Sequence, residues 1–248
     1  DCAIYWDNII ASPTPKELKK KIIGKKINSI TTRGKFIVIE LDDYSLLIHL
    51  RMEGKFFFRN KGDEITKHEH VEFILDNEIS FRYHDVRKFG KMYLIPKEDT
   101  YKVKPLSELG KEFYDDITED YLFDKIHKLK LPIKTILLNQ NIICGICNIY
   151  DDEILFKSGI SPMRRGCDIS RNECLTIINN TKIILSEAVK LGGTTIKSFT
   201  SSEGVHGLFQ AKLNVHGKKN ALCPTCNSQI IVTHINGRGT YYCPKCQK

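Results

Sequence analysis

Several features that define other protein classes are missing from this chain of 248 residues. No stretch approaches the ~20 uninterrupted apolar residues of a membrane-spanning helix, and no charged-apolar-small signal opens the chain. Internal repeats and low-complexity segments are also absent. Hydrophobic residues make up 41% and charged residues 27%, enough to bury a substantial core. The sequence therefore excludes membrane, collagen-like, disordered and disulfide-framework classes, and indicates a basic, soluble, intracellular protein.

Acidic residues are missing from one long stretch. Residues 204–248 contain no Asp or Glu, although the whole chain has 30 of them against 38 Lys and Arg. The basic residues of this stretch are Lys212, Lys218, Lys219, Arg238, Lys245 and Lys248. Such a segment is typical of a surface that binds a polyanion, and a solvated basic tail is the alternative interpretation.

Nine cysteines, an odd number, occur without a secretory signal. In a reducing compartment, cysteines serve more often as metal ligands or small buried residues than as disulfides. Two pairs, Cys223-Pro-Thr-Cys226 and Cys243-Pro-Lys-Cys246, have 16 residues between them. This spacing is typical of a tetrahedral Zn(Cys)₄ ribbon, so the sequence predicts one structural Zn²⁺.

The segment between these pairs is predicted to be a β-hairpin with Asn236-Gly237 at its turn. Four thiolates close the coordination shell and leave no position for an activated water, so we expect the zinc to hold structure rather than perform chemistry. Arg238 is predicted at the hairpin tip, where a guanidinium can reach a phosphate. Cys144-Gly-Ile-Cys147 has no partner pair, so we interpret it as small residues at a tight helical crossing.

The hydrophobic pattern divides the chain into a β half and a helical half. Runs beginning at Lys35, Tyr44, Lys55, Val71, Ile79 and Lys91 predict short strands of an antiparallel sandwich or barrel, with a short helix over 15–23. From about Pro105 the pattern is helical, and Ser170-Arg-Asn-Glu173 predicts a helix start that ends at Gly192-Gly193. The predicted fold class is α+β and multidomain.

Several motifs together resemble the formamidopyrimidine-DNA glycosylase / endonuclease VIII family. The front half contains Arg33-Gly-Lys-Phe, His49-Leu-Arg-Met-Glu-Gly, His68-Glu-His and Asp85-Val-Arg-Lys-Phe-Gly. The rear half contains residues 139–162, Gly192-Gly-Thr-Thr-Ile, residues 209–217 and the ribbon. The resemblance implies an N-terminal β-sandwich over 1–104, a helix–two-turn–helix domain over 105–215 and a zinc-ribbon finger over 216–248.

The resemblance also implies an activity: excision of oxidised purines such as 8-oxoguanine and formamidopyrimidines from duplex DNA, followed by β,δ-elimination at the abasic site. Met52, Arg87 and Phe89 match the residues that fill the space left by the flipped nucleotide. Matches for gripping the DNA backbone are His68 and Asn148, with Lys130 and Lys134 in the basic approach. Lys35 and Arg238 match residues that the resemblance implies are catalytic, and both also match contacts to the DNA backbone. The implied partner is duplex DNA with oxidised bases or abasic sites, bound by a monomer in the cytoplasm near the nucleoid.

The family's nucleophile is an N-terminal proline amine, which forms a Schiff base, with a neighbouring glutamate acting in acid catalysis. This chain opens with Asp1-Cys-Ala instead. We therefore expect a fragment of an active enzyme that is itself inactive. Three other interpretations stay open: a catalytically dead relative that begins at Asp1, an endonuclease VIII-like enzyme for oxidised pyrimidines, and a zinc-ribbon DNA-binding module.

Overall fold

A computed structural model describes residues 1–194 and 207–248. The described residues form two compact units, one of residues 1–107 and one of residues 108–194 and 207–248. The first unit ends close to the boundary expected after residue 104. The predicted ribbon segment belongs to the second unit, and its separation from 105–215 stays a prediction. Residues 195 and 196 of the Gly192 motif, and 204–206 of the stretch without carboxylates, lie outside the described residues.

The first unit is a two-sheet β-sandwich. One sheet has the order β1-β7-β8-β6 and the other β2-β9-β5-β4-β3. All neighbouring strands are antiparallel except the short pair of β2 with β9. The strands are β1 (Cys2–Ile4), β2 (Ile10–Ser12), β3 (Ser29–Arg33), β4 (Phe36–Glu40), β5 (Tyr44–His49), β6 (Lys55–Asn60), β7 (Glu69–Ile74), β8 (Ile79–His84) and β9 (Lys91–Pro96). The sandwich and the six predicted strands are confirmed.

The core of the sandwich lies between the two sheets. Side chains of one sheet, such as Val71 and Tyr83, pack with Ile48 and Met92 of the other, and all four are 0% exposed. This follows from strand geometry, because successive side chains point to opposite faces and one face of each sheet is apolar. Helix α1 (Pro15–Ile22) places buried Leu18 in the same core.

The second unit begins with four helices. They are α2 (Glu119–Ile126), α3 (Ile133–Leu137), α4 (Asn148–Ser158) and α5 (Arg171–Lys190). The predicted start of α5 is confirmed: Ser170 and Glu173 form a reciprocal capping box, which satisfies backbone N–H groups of the first turn. Its predicted end is confirmed too, because Gly192 has φ +69° just beyond Lys190.

The helices of the second unit surround an apolar core that includes Ile136, Ile146, Leu155 and Ile177. Cys144 lies fully buried between α3 and α4, and Cys147 is the residue before α4. All nine cysteines are among the described residues and none forms a disulfide. A hairpin of β10 (Ile231–Ile235) and β11 (Arg238–Tyr242) follows the helices. Among the described helices, none is long and apolar enough to cross a membrane.

Candidate metal centre and nucleic-acid interface

The four cysteines of the two Cys-x-x-Cys pairs converge at the base of the hairpin. Their sulfur atoms all lie within 4.8 Å of one another, with Cys223 Sγ 3.8 Å from Cys246 Sγ and Cys226 Sγ 3.5 Å from Cys243 Sγ. A tetrahedron with Zn–S bonds of about 2.3 Å has edges of about 3.8 Å. The donor set and its spacing therefore fit Zn²⁺, and the predicted structural zinc site is confirmed.

A small apolar cluster packs around this site. Val215, Cys223, Ile230 and Cys243 are each 0% exposed, and Phe156 of α4 packs against them. Ser161 donates its backbone N–H to the Lys248 carbonyl, and Lys248 donates to the Gly159 carbonyl. The metal site is thus attached to the C-terminal end of α4 as well as to the hairpin.

The hairpin turn presents Arg238 to solvent. Asn236 and Gly237 have φ values of +46° and +72°, so both adopt the left-handed conformation that a two-residue turn of this type requires. Ile235 pairs with Arg238 directly across the turn. Arg238 is exposed at the start of β11, which matches its predicted place at the tip.

The helix–two-turn–helix segment holds the hairpin beside Arg238. The Gly239 carbonyl accepts a hydrogen bond from Asn148 Nδ2 at 3.0 Å and a longer one from Lys134 Nζ at 3.4 Å. Asn236 Nδ2 donates to Thr135 Oγ1 at 3.0 Å. These bonds place Arg238 next to the N-terminus of α4.

Asn148 lies where an anion can bind. It is the first residue of α4, and the side chain of the preceding residue makes no capping hydrogen bond within the described part of the chain. Backbone N–H groups at the start of a helix attract phosphate because they lack partners and lie at the positive end of the dipole.

Lys134 is placed differently from the expectation. Its side chain is 0% exposed and forms an ion pair with the equally buried Asp152. A buried ammonium that already has a carboxylate partner is not available to a surface phosphate, so this structure does not support a DNA contact for Lys134. Its neighbour in the predicted approach, Lys130, is exposed in the segment before α3.

Asp152 and Glu153 on α4 hold the segment that leads into the ribbon. Asp152 Oδ2 accepts from His216 Nδ1 at 2.7 Å and from the Tyr241 backbone N–H at 3.2 Å. Glu153 accepts from the backbone N–H groups of Asn214, Val215 and His216 at 2.8–2.9 Å. Sequence reasoning missed both carboxylates, since an acidic run on a helix usually faces solvent, whereas these are at most 2% exposed.

In the sandwich unit, the residues predicted to fill the space left by the flipped nucleotide lie on two loops. Met52 occupies the turn between β5 and β6 and is 59% exposed, and Phe89 in the loop between β8 and β9 is 50% exposed. Arg87 is exposed, and its guanidinium lies 4.7 Å from the centre of the Phe89 ring. Exposed apolar side chains such as these can wedge into a base stack.

Lys35 lies in the two-residue turn between β3 and β4 and is half-buried. His49, which sequence reasoning did not nominate, is paired with the adjacent Phe36 across β4 and β5. Burial and the positive charges of Arg51 and Lys35 lower the pKa of His49 to about 4. Its Nδ1 accepts from the Arg51 backbone N–H at 3.0 Å, so the neutral ring carries its proton on Nε2. Its motif, His49-Leu-Arg-Met, was the signal available in the sequence.

His68 is half-buried just before β7. Its ring packs edge-on against His84 at 5.6 Å, and its Nδ1 has no hydrogen-bond partner within the described residues. The His68 carbonyl accepts from the Asp85 backbone N–H at 3.0 Å, and His70 Nε2 donates to the Asp85 carbonyl at 2.8 Å. The His68-Glu-His motif thus also fixes the start of the loop that carries Arg87 and Phe89.

Two family models match the chain. The model of the formamidopyrimidine-DNA glycosylase N-terminal domain matches residues 1–92, and that of the formamidopyrimidine-DNA glycosylase H2TH domain matches residues 109–200. Most of the β-sandwich lies in the first matched range, and helices α2 to α5 lie in the second. The chain belongs to the formamidopyrimidine-DNA glycosylase family.

Individual relatives agree over nearly the whole chain. Formamidopyrimidine-DNA glycosylase of Oceanobacillus iheyensis is 40% identical over 98% of this chain and 88% of its own length. The enzyme of Bacillus cereus is 41% identical over 100% of this chain and 90% of its own length. Among solved structures, a complex between the Lactococcus lactis Fpg and DNA containing an abasic site has a TM-score of 0.93 at 33% identity, covering 100% of this chain and 91% of that one.

Proposed function

We propose that this protein is a base-excision-repair DNA glycosylase with AP lyase activity, which removes oxidised purines from duplex DNA. The observation that carries the proposal is the likeness to Lactococcus lactis Fpg, whose solved complexes contain an abasic site or a Fapy-dG in DNA. The likeness covers the whole chain, and both family domains are matched. The site of action that follows is the nucleoid.

Base flipping explains why exposed apolar side chains belong in the sandwich loops. A damaged base within the stack must be turned out of the duplex, which costs a few kcal/mol. Met52 and Phe89 can fill the space left behind, and Arg87 offers donors to the base left opposite. The exposure of all three supports this role.

The second unit supplies features that suit the DNA backbone. Asn148 at the start of α4 and Arg238 at the hairpin tip lie on either side of the Gly239 carbonyl and offer adjacent donors. In the sandwich, Lys35 and the neutral His49 offer one charged and one uncharged donor. We place His68 among the backbone contacts as well, and leave Lys130 as an outer contact that only its exposure supports.

The covalent chemistry follows from family membership. A secondary amine attacks C1′ of the damaged nucleoside, the base leaves with the electron pair of the glycosidic bond, and an acid protonates it. The deoxyribose ring then opens at the C1′–O4′ bond, O4′ takes up a proton, and C1′ becomes an iminium carbon. The iminium acidifies the C2′ proton, whose loss expels the 3′ phosphate, and loss of the C4′ proton then expels the 5′ phosphate. Zinc takes no part in these steps, because its four thiolate ligands fill the shell.

The test uses protein expressed from the gene's complete reading frame and a panel of duplexes under single-turnover conditions. We expect excision of 8-oxoguanine and formamidopyrimidine, strand cleavage at both phosphates, and a covalent adduct on borohydride reduction. Phe89→Ala should slow excision, whereas Phe58→Ala should not, although Phe58 on β6 is the more exposed aromatic of the two.

Two other results have defined meanings. Faster excision of oxidised pyrimidines than of 8-oxoguanine would assign the protein an endonuclease VIII-like substrate range; oxidised-pyrimidine DNA is also bound in one of the Lactococcus lactis complexes. Equal affinity for damaged and undamaged duplex, with no base released, would reduce the protein to a DNA-binding module.

A further inference from the structure

Two loops carry the residues proposed to fill the space left by the flipped nucleotide. The same buried side chains support both loops. The first loop is the turn 51–54 with Met52, and the second is the segment 85–90 with Arg87 and Phe89. Each contains a non-glycine residue in the left-handed region, Arg51 and Lys88, both at φ +57°. Such backbone conformations persist only when surrounding contacts fix them.

Asp85 fixes the second loop. Its side chain is 0% exposed, and its carboxylate accepts from three backbone N–H groups of the loop: Arg87 at 3.0 Å, and Phe89 and Gly90 at 2.9 Å. The backbone of both Arg87 and Phe89 is therefore attached directly to one buried anion. These donors also compensate for the cost of burying the charge.

Tyr83 connects this anion to the first loop. Its hydroxyl donates to Asp85 Oδ2 at 3.0 Å, and the side chain is 0% exposed. The hydroxyl lies so close to the Cα atoms of Gly54 and Gly90 that neither position has room for a Cβ. Burial and the neighbouring Asp85 charge raise the pKa of Tyr83, so the hydroxyl keeps its proton as a donor.

We propose that Tyr83 and Asp85 act as one positioning unit that couples the Met52 turn to the Arg87–Phe89 loop, so that the three side chains enter the duplex in a single event. The unit touches no base or phosphate itself. Its hydroxyl is in contact with the end of one loop and bonded to the anion that holds the other, so a displacement of either loop displaces both. This inference rests on the proposed function of the three side chains.

The test is Tyr83→Phe, which removes the hydroxyl and keeps the ring. Tyr5→Phe is the matched control, because its hydroxyl also donates to a carboxylate of the sandwich, Glu72 Oε2 at 2.8 Å, and Glu72 lies on β7 rather than in either loop. Insertion is followed by fluorescence of 2-aminopurine placed beside a tetrahydrofuran abasic analogue in duplex DNA. We expect Tyr83→Phe to reduce the insertion rate about tenfold, the order for one lost hydrogen bond to a charged acceptor, with no change for Tyr5→Phe.

Coupling is separated from loss of stability by a double-mutant cycle. If insertion is one event, Met52→Ala should slow it strongly in the wild-type background and add little in the Tyr83→Phe background. Additive effects, or a wild-type insertion rate in Tyr83→Phe, would overturn the inference. Should Tyr83→Phe lower the thermal midpoint far more than Tyr5→Phe, the same cycle is measured with Asp85→Asn, for which the same lack of additivity is expected.

The insertion assay needs binding but no chemistry, so it can be separated from the proposed activity. A protein that inserts with coupled loops yet releases no base keeps the inference and loses the enzymatic function. One that excises 8-oxoguanine with uncoupled loops keeps the function and loses the inference. Wild-type protein that neither inserts nor excises removes both.

Discussion

Two buried aspartates support the proposed DNA contacts by opposite chemistry. Asp85 in the sandwich accepts from neutral donors, three backbone N–H groups and one phenol, all between residues 83 and 90. Asp152 in the second unit accepts from the Lys134 ammonium, the His216 ring and the backbone of Tyr241. The contacts of Asp85 are local, and all of their donors are uncharged. The contacts of Asp152 include an ion pair and join four separate segments of the chain.

The two supports are vulnerable to different perturbations. The loop in the sandwich is held by donors of its own backbone and of the adjoining strand, so neither a metal nor a second charge is needed. The Arg238 hairpin, in contrast, depends on zinc, on a buried ion pair and on contacts made by residues far apart in the chain. Perturbations of metal and charge should therefore affect the hairpin and spare the sandwich loops.

Removal of zinc should have the largest effect. Without the metal the ribbon cannot fold, since metal binding supplies much of the folding free energy of such small modules. Unfolding of the ribbon removes both the proposed phosphate contact of Arg238 and the Gly239 carbonyl that holds Asn148. Together these losses should weaken binding to abasic duplex by about 100-fold. Fluorescence anisotropy measures the affinity, and atomic absorption verifies the metal loss.

The fluorescence of the one tryptophan, Trp6, reports on the sandwich in the same experiment. Its denaturant unfolding curve should be unchanged after zinc removal. DNA affinity that survives verified metal loss would contradict the dependence of the hairpin on zinc.

Breaking the buried ion pair should come next. Lys134→Met leaves the Asp152 carboxylate buried without its ammonium partner, and we expect a loss of about 3–5 kcal/mol in the free energy of unfolding. Circular dichroism of the helices at increasing urea concentration measures it. The exposed Lys130→Met, a matched change four residues earlier, should stay within about 0.5 kcal/mol of wild type. Equal effects of the two variants would refute the burial of Lys134.

The two units should lose stability in different pH ranges. Burial and the charges of Arg51 and Lys35 lower the pKa of His49 from 6.5 to about 4, so the unfolded chain binds a proton that the folded sandwich excludes. The contribution of His49 to the stability of the sandwich is therefore complete above pH 6.5 and is lost as the pH drops from 6.5 to 4, by about 3 kcal/mol. Unfolding followed by Trp6 fluorescence measures this, and His49→Gln should flatten the dependence.

In the second unit the corresponding group is Glu173. The Arg164 guanidinium and the capping bonds from Ser170 lower the pKa of Glu173 from 4.5 to about 2. Its contribution is complete above pH 4.5 and is lost as the pH falls from 4.5 to 2, again by about 3 kcal/mol. Circular dichroism should show Glu173→Gln flattening only this lower range. Coincident pH profiles for the two probes would argue against separate ranges.

The smallest effect should come from Arg238→Ala. We expect DNA affinity to fall about tenfold at low salt while zinc content stays the same. The slope of log affinity against log salt should decrease in magnitude by about 0.9, the value for one phosphate contact. Lys190→Ala, which removes one exposed charge at the end of α5, is the control and should leave the slope unchanged. An unaltered slope in Arg238→Ala would contradict a phosphate contact.

Local signals in the sequence predicted much of this molecule. The cysteine spacing, the Asn236-Gly237 turn and the Ser170 capping box each need only a few adjacent residues, and each is found in the structure. The central strands were predictable because they are five or six residues long and rich in β-branched and aromatic residues. Strands β1 and β2 were missed, since three residues carry too little pattern. Strand β3 was missed as well, because its sequence Ser-Ile-Thr-Thr-Arg is mostly polar.

Tertiary partners were beyond the reach of sequence patterns. Lys134 belongs to a basic segment, and this predicted a surface contact. Its partner Asp152 lies beyond the next turn, in the middle of α4. The Tyr83 hydroxyl meets Gly54 only because β6 pairs with β8 in the sheet. Both interactions are decided by packing, which no local motif encodes.

The turn at Asn236-Gly237 has a consequence for how this tip can change over evolution or by design. Side chains alternate between the two faces of a hairpin, so an insertion that slips the strand pairing by one residue would move Arg238 to the opposite face. Residues of compatible conformation can replace Asn236 and Gly237, whereas a third turn residue keeps the pairing only in a different type of turn. The length of the tip is therefore more constrained than its composition.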